Sequence, residues 1–285
     1  MNHKKAIFYA VLAAALYAIN APISKLLLTE IPSTMMAGLL YLGAGTGMYV
    51  LEKLTKHEKE IPLTKKGTPL YPRNGSVGHC RADFLMIGLT RCSAAHASLL
   101  NNFEIVATSL IALFIFREAI GKRLWLAIIL VTISSILLSF EDMSSLQFSW
   151  GSIFVLLACV CWGFENNCTR MLSSKNPAQI VIIKGFGSGL GALTLSIAIG
   201  EHFFQIGYMV LALILGFVAY GLSIYFYIYA QRDLGAARTS TYYAVSPFIG
   251  TGLSLLIFRE FPSAIFIAAL LIMAAGTYFA SASEN

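Results

Sequence analysis

The sequence predicts an all-α membrane protein: ten transmembrane helices arranged as two inverted five-helix repeats, with an anomalous third helix. Three observations predict it. The chain is 57% hydrophobic and 12% charged, with a mean hydropathy of +0.73. A soluble chain carries roughly a quarter charged residues, so there is too little polar surface here to coat a water-soluble globule. The apolar residues also come in runs near 20 long, enough to cross ~30 Å of hydrocarbon as helix. Finally, the pattern occurs twice. Ile-Phe-Arg-Glu stands at 115–118 and again at 257–260. Each copy closes an apolar run that opens on small and polar residues, Ala94-Ala95-His96-Ala97-Ser98 and Ala236-Ala237-Arg238-Thr239-Ser240.

Spans are expected at 6–28, 34–53, 97–116, 123–140, 149–172, 178–200, 207–230, 237–258 and 263–282. The runs lack the alternation of barrel strands, and helix satisfies every backbone group within the segment. The N-terminal run continues to about Leu28 without a clear cleavage site, so it is read as the first span rather than a leader. Near the start of each half, Leu12-Ala13 matches Leu157-Ala158, Tyr17 matches Trp162 and Lys25 matches Arg170. The two repeats are placed at 1–143 and 144–285.

Positive charge fixes a tenth span. Lys and Arg cluster at 4–5, 53–66, 117–123, 170–175 and 232–238, whereas loops 29–33, 141–148 and 201–206 contain none. Keeping positive charge on one side requires a crossing between Lys66 and Arg91, and places both termini in the cytoplasm. An odd number of spans per half inverts the second repeat, the arrangement associated with carriers whose site lies between the halves. The expected location is the cytoplasmic (inner) membrane.

That tenth span is the anomaly. Residues 67–83 contain Pro69, Pro72, Arg73, Arg81 and Asp83. Charges are costly in lipid and prolines break helix. One reading is a real polar or re-entrant segment. The preferred reading is a local slip of the reading frame, since a one-base shift over 69–84 can be back-translated into an apolar span.

With these patterns in place, the chain resembles the drug/metabolite transporter superfamily, and within it the EamA-type ten-helix carriers. The resemblance covers nearly the whole chain. Its most specific part is Pro247 to Glu260, with an echo ending at Glu118. The first half departs where Glu104-Ile105 replaces Ser246-Pro247, and residues 67–83 depart as well. The resemblance implies secondary transport, usually export, of small metabolites, amino acids or drugs. It leaves the substrate open.

Several polar residues interrupt the apolar runs. Glu104 lies about 14 residues from Glu118, near mid-bilayer, with Asn101 and Thr108 on the same face. A carboxyl group there reads as a coupling or binding group, or else as one satisfied within the bundle. Trp162, Glu165 and Asn166 share a helix face and suit a polar organic ligand, or serve as interhelical glue. Lys184 could bind a carboxylate, pair with Glu104 or Glu165, or snorkel to the cytoplasmic side. Its neighbours Gly185, Gly187, Gly189 and Gly191 read as close helix packing, since no strand precedes them to form a phosphate loop. Tyr242, Tyr243 and Ser246 form a binding set in the ninth span, with Tyr17, Asn20 and Pro22 as its counterpart in the first. Pro247, Glu118 and Glu260 read as structural, the glutamates as interfacial ion-pair partners of the adjacent arginines. Tyr220, Tyr225, Tyr227 and Tyr229 form either a cavity wall or an interfacial belt.

The cysteines have no metal spacing, and neither HExxH, GxSxG nor a nucleotide-binding loop occurs, so an enzyme is not expected. No metal and no cofactor is implied. The expected partners are a small-molecule substrate and the lipid bilayer, with protons and a second copy of the chain as candidates, and no nucleic acid. The alternative function is a non-transporting membrane sensor or assembly factor.

Overall fold

A computed structural model describes residues 3–55, 70–115, 117, 119–142, 147–170 and 176–281. Among these, the backbone is helical apart from short connections and a two-stranded antiparallel ribbon, β1 (Phe140–Asp142) with β2 (Gln147–Phe148). The ribbon lies where one half of the chain gives way to the other.

The first half contains α1 (His3–Ala18), α2 (Asn20–Leu27), α3 (Ser33–Leu54), α4 (Leu70–Arg91), α5 (Ala94–Leu100), α6 (Glu104–Phe114) and α7 (Lys122–Ser139). The second contains α8 (Trp150–Arg170), α9 (Pro177–Ala198), α10 (Ile206–Gly216), α11 (Ser223–Tyr243), α12 (Ser246–Phe258) and α13 (Ala264–Ser281). Among the described residues, eight continuous helical stretches are long and apolar enough to span a membrane: Lys4–Leu27, Ser33–Leu54, Ala94–Phe114, Lys122–Ser139, Trp150–Cys168, Pro177–Ala198, Ile206–Leu234 and Ala264–Ser281. Ser246–Phe258 is apolar but shorter.

Two boundaries differ from the sequence reading. The expected span 237–258 is divided: α11 runs on to Tyr243 and a new helix starts at Ser246. Pro247, near the N-terminus of α12, accounts for the restart, because a proline lacks the N–H needed inside a helix but is harmless in its first turn. The expected 207–230 is correspondingly longer, joined through a π-helical stretch Phe217–Leu222.

The anomalous segment is a helix. Residues 70–91 form α4, and Pro72 falls in its first turn, where no intrahelical N–H bond is lost. The part of the anomaly at 67–69, and Glu118, lie outside the described residues.

The halves pack in corresponding pairs. α3 packs on α9, and α7 on α13. α4 packs along α8, and α11 along α1; α5 meets α12. Exchanging one half for the other maps the first four of these pairs onto one another. The approaches of α3 to α9 and to α10 depend on glycine. A Cβ at Gly185 would lie 2.5 Å from Gly45 Cα, and one at Gly43 would lie 2.1 Å from Leu213 O. Any side chain there would drive these backbones apart. The halves correspond in backbone as well: Arg117 and Arg259, the arginines of the two Ile-Phe-Arg-Glu copies, both adopt left-handed backbone at φ 56° and 53°. The repeated motif therefore repeats a backbone shape as well as a sequence.

Polar side chains close the helix ends. Glu201, between α9 and α10, accepts from Met35 N at 2.8 Å and Thr34 N at 3.4 Å, capping α3 across the two halves. Lys25 donates to Cys92 O at 2.8 Å and to Leu89 O, satisfying carbonyls at the end of α4.

Candidate functional site

Helix α4 carries an arginine into the middle of the bundle. Arg81 is 2% exposed, and its guanidinium is satisfied on every side. It donates to Glu165 Oε2 at 3.2 Å, to Tyr41 OH at 3.4 Å and to Tyr17 OH at 3.1 Å. Its Cζ sits 4.0 Å from the Trp162 ring centroid and 5.4 Å from that of Tyr220. A charge removed from water needs such compensation, from an opposite charge, from hydrogen bonds and from aromatic faces.

Glu165, on α8, is fully buried and serves two cations. Oε2 takes Arg81, and Oε1 takes the Lys184 ammonium from α9. Lys184 is 9% exposed, so it pairs inward with Glu165 and does not snorkel to an aqueous face. Three helices thus meet at one carboxylate.

Glu104 stands at a helix break. A 3₁₀ turn, Asn101–Phe103, separates α5 from α6, and Glu104 is the first residue of α6. Its Oε1 accepts from Asn166 Nδ2 at 2.8 Å. Where Glu165 has two cations, Glu104 has an amide.

These groups border one cavity. Tyr17, Arg81, Glu104, Trp162, Asn166 and Lys184 line it, and α11 supplies Tyr227, Gln231 and Tyr243. A second, smaller cavity shares Tyr17, Glu104, Trp162 and Tyr243, and adds Asn101, Asn102, Ser246 and Pro247. Ser98 lines a third beside it. Ser98 Oγ, Asn102 Nδ2 and Ser246 Oγ are buried without a hydrogen-bond partner among the described residues. A buried polar group left unmade costs roughly 1–3 kcal/mol, so these three are suited to a polar occupant.

Most residues singled out from the sequence converge here: Glu104, Asn101, Trp162, Glu165, Asn166, Lys184, Tyr17, Tyr243, Ser246 and Pro247. Asn20 lies just behind, fully buried, donating to Tyr220 OH at 3.3 Å and accepting from Ser24 Oγ at 3.1 Å. Tyr242 turns away and packs on the cluster of Ala6, Ala10, Ala230 and Leu234. Glu260 is exposed at the end of α12, its amide closing onto Leu255 O. The four tyrosines divide: Tyr220 and Tyr227 belong to the site, while Tyr225 and Tyr229 join Phe226 and Tyr9 in an aromatic cluster. Arg81, Tyr41 and Gln231 were not singled out. Arg81 had a signal, a cation in a span facing carboxylates elsewhere in apolar runs, but its polar surroundings in the sequence read as damage.

Comparison with known proteins bears on the family and the fold. A protein of Methanothermobacter thermautotrophicus described as an uncharacterized transporter is 23% identical over 268 residues, covering 87% of this chain and 78% of that one. A crystal structure superposes with a TM-score of 0.70 at 15% identity, covering 98% of this chain and 96% of the other; that likeness concerns the fold alone. The profile of the EamA-like transporter family matches residues 4–140 and again 149–282, once per half. The chain is a multi-pass membrane protein that belongs to the EamA-like transporter family.

Proposed function

We propose that this protein is a secondary transporter that exports a small organic solute across the cytoplasmic membrane by alternating access. The observation that carries this reading is the cavity lined by Glu104, Arg81, Lys184 and Trp162, built from helices of both halves. A polar, charged cavity inside an apolar bundle is expensive, and such groups mark solute pathways. Ten spans with both termini in the cytoplasm fit the charge pattern of the loops. Two inverted five-helix repeats fit the paired packing of α4 on α8 and α11 on α1. Rocking one half against the other would open the cavity to each side in turn.

Glu104 is the coupling group in this reading. It borders both cavities, and among its described hydrogen-bond partners is a neutral amide rather than a cation. It can exchange a proton without breaking an ion pair.

The test is a comparison of intracellular and extracellular metabolites with and without the gene, followed by flux of the accumulated solute in proteoliposomes. A solute that builds up inside the deletion strain and leaves proteoliposomes only when the protein is present supports export. Equal metabolite pools and no flux of any candidate would remove the reading.

A further inference from the structure

We propose that Arg81 sets the charge preference of the cavity, so that the site holds solutes of zero net charge and disfavours organic cations. This deepens the transport reading and rests on it for the identity of the cavity.

The cavity is balanced in charge. Among the described residues, the charged side chains at the cavity are Arg81, Lys184 and Glu104, with Glu165 directly behind them. They come from α4, α9, α6 and α8, two cations and two carboxylates. Asp83, two residues further along α4, is not among the residues that line the cavity. With Glu104 ionised, the empty site is neutral. An uncompensated charge this far from water costs several kcal/mol, so the loaded site favours neutrality as well. A solute without net charge leaves the balance intact.

Arg81 is the member of this set that decides it. The guanidinium is always protonated, so it cannot be neutralised to admit a cation. It is held by Tyr17, Tyr41 and Glu165 and stacked on Trp162, so it cannot swing out of the site either. Replacing it with a neutral residue would leave the site with one excess negative charge, which an ammonium-bearing solute would restore to zero.

The experiment uses the full-length protein in detergent, in a Trp125→Phe, Trp150→Phe background, so that Trp162 fluorescence reports cavity occupancy. The probes are matched sets on one carbon skeleton: leucine, isoamylamine, 4-methylpentanoate and 4-methylpentanamide, with further sets on longer and aromatic skeletons. The wild-type side chains should favour net-neutral members. Arg81→Gln should raise the affinity for the amine relative to the net-neutral members by about tenfold or more. Arg81→Lys keeps the charge and should keep the wild-type preference with weaker binding. Arg81→Gln with Glu165→Gln removes one charge of each sign and should return the preference to net-neutral members. If Arg81→Gln does not fold, the lysine variant and the double variant carry the test.

A wild-type preference for amines, an unchanged preference in Arg81→Gln, an equal loss of all probes, or silence of every set would overturn the proposal. An equal loss would make Arg81 structural only. None of these results touches the transport reading, which stands or falls on solute flux.

Discussion

Arg81 and Lys184 reach the same carboxylate, Glu165, from two different helices, α4 and α9. The consequence is an ordering of stabilities. Glu165→Ala leaves two buried cations facing each other and should cost about 3–5 kcal/mol, the range for breaking a buried pair. Arg81→Ala leaves Glu165 paired with Lys184 and should cost less. Thermal unfolding of the purified variants checks the order; equal losses would mean that the two cations do not share one carboxylate.

Glu104→Gln should remove the pH dependence of transport while expression is preserved. The amide keeps the acceptor that Asn166 uses, so the stability change should stay within about 1 kcal/mol. Uptake measured across a pH series decides it. A mutant that retains the wild-type pH profile would take Glu104 out of the coupling role.

Gly43→Ala and Gly185→Ala should each destabilise the bundle by about 1–3 kcal/mol, because the added methyl meets backbone at 2.1 Å and 2.5 Å respectively. Gly252→Ala is the control. Nothing lies within 4 Å of its added carbon, and alanine favours helix, so stability should hold or rise slightly. Unfolding midpoints of the three variants in the same detergent give the comparison.

Glu201→Ala should lower stability by about 1 kcal/mol, the usual worth of a helix cap. The loss arises at the start of α3, where Glu201 accepts from Met35 N and Thr34 N and from Ser196 Oγ at 2.9 Å. Hydrogen exchange should therefore quicken at Thr34 and Met35 first, ahead of the core of α3.

Much of this was legible from the sequence because a bilayer imposes strong rules. Runs near 20 apolar residues have little choice but helix, and a carboxyl group inside such a run has few reasons to be there besides a cavity. Glu104, Glu165, Trp162 and Lys184 were found that way. The glycines of α9 were read as close packing, and Gly185 does lie against Gly45. The break at Ala244–Val245 was not legible, because apolar composition continues straight through it and only Pro247 hints at a restart. Arg81 was misjudged for a related reason. A charged residue in a span looks like an error until its partners are known, and Tyr17, Tyr41 and Glu165 come from three other helices. That partnering argues for the segment as written: a residue placed by a slipped frame has no physical reason to meet two hydroxyls, a carboxylate and an indole face. Tyr242 shows the opposite limit. It is adjacent to Tyr243 in sequence, but on a helix the two point in different directions, and only Tyr243 borders the cavity.

The central claim is that one cavity between the halves opens to each side of the membrane in turn. The most direct measurement places a single cysteine at Tyr243, in a background where Cys80, Cys92, Cys159, Cys161 and Cys168 are serine, and labels it with a membrane-impermeant thiol reagent from either side of sealed vesicles. Alternating access predicts labelling from both sides, with no ion leak through the protein. Labelling from one side only, or from neither, would contradict it.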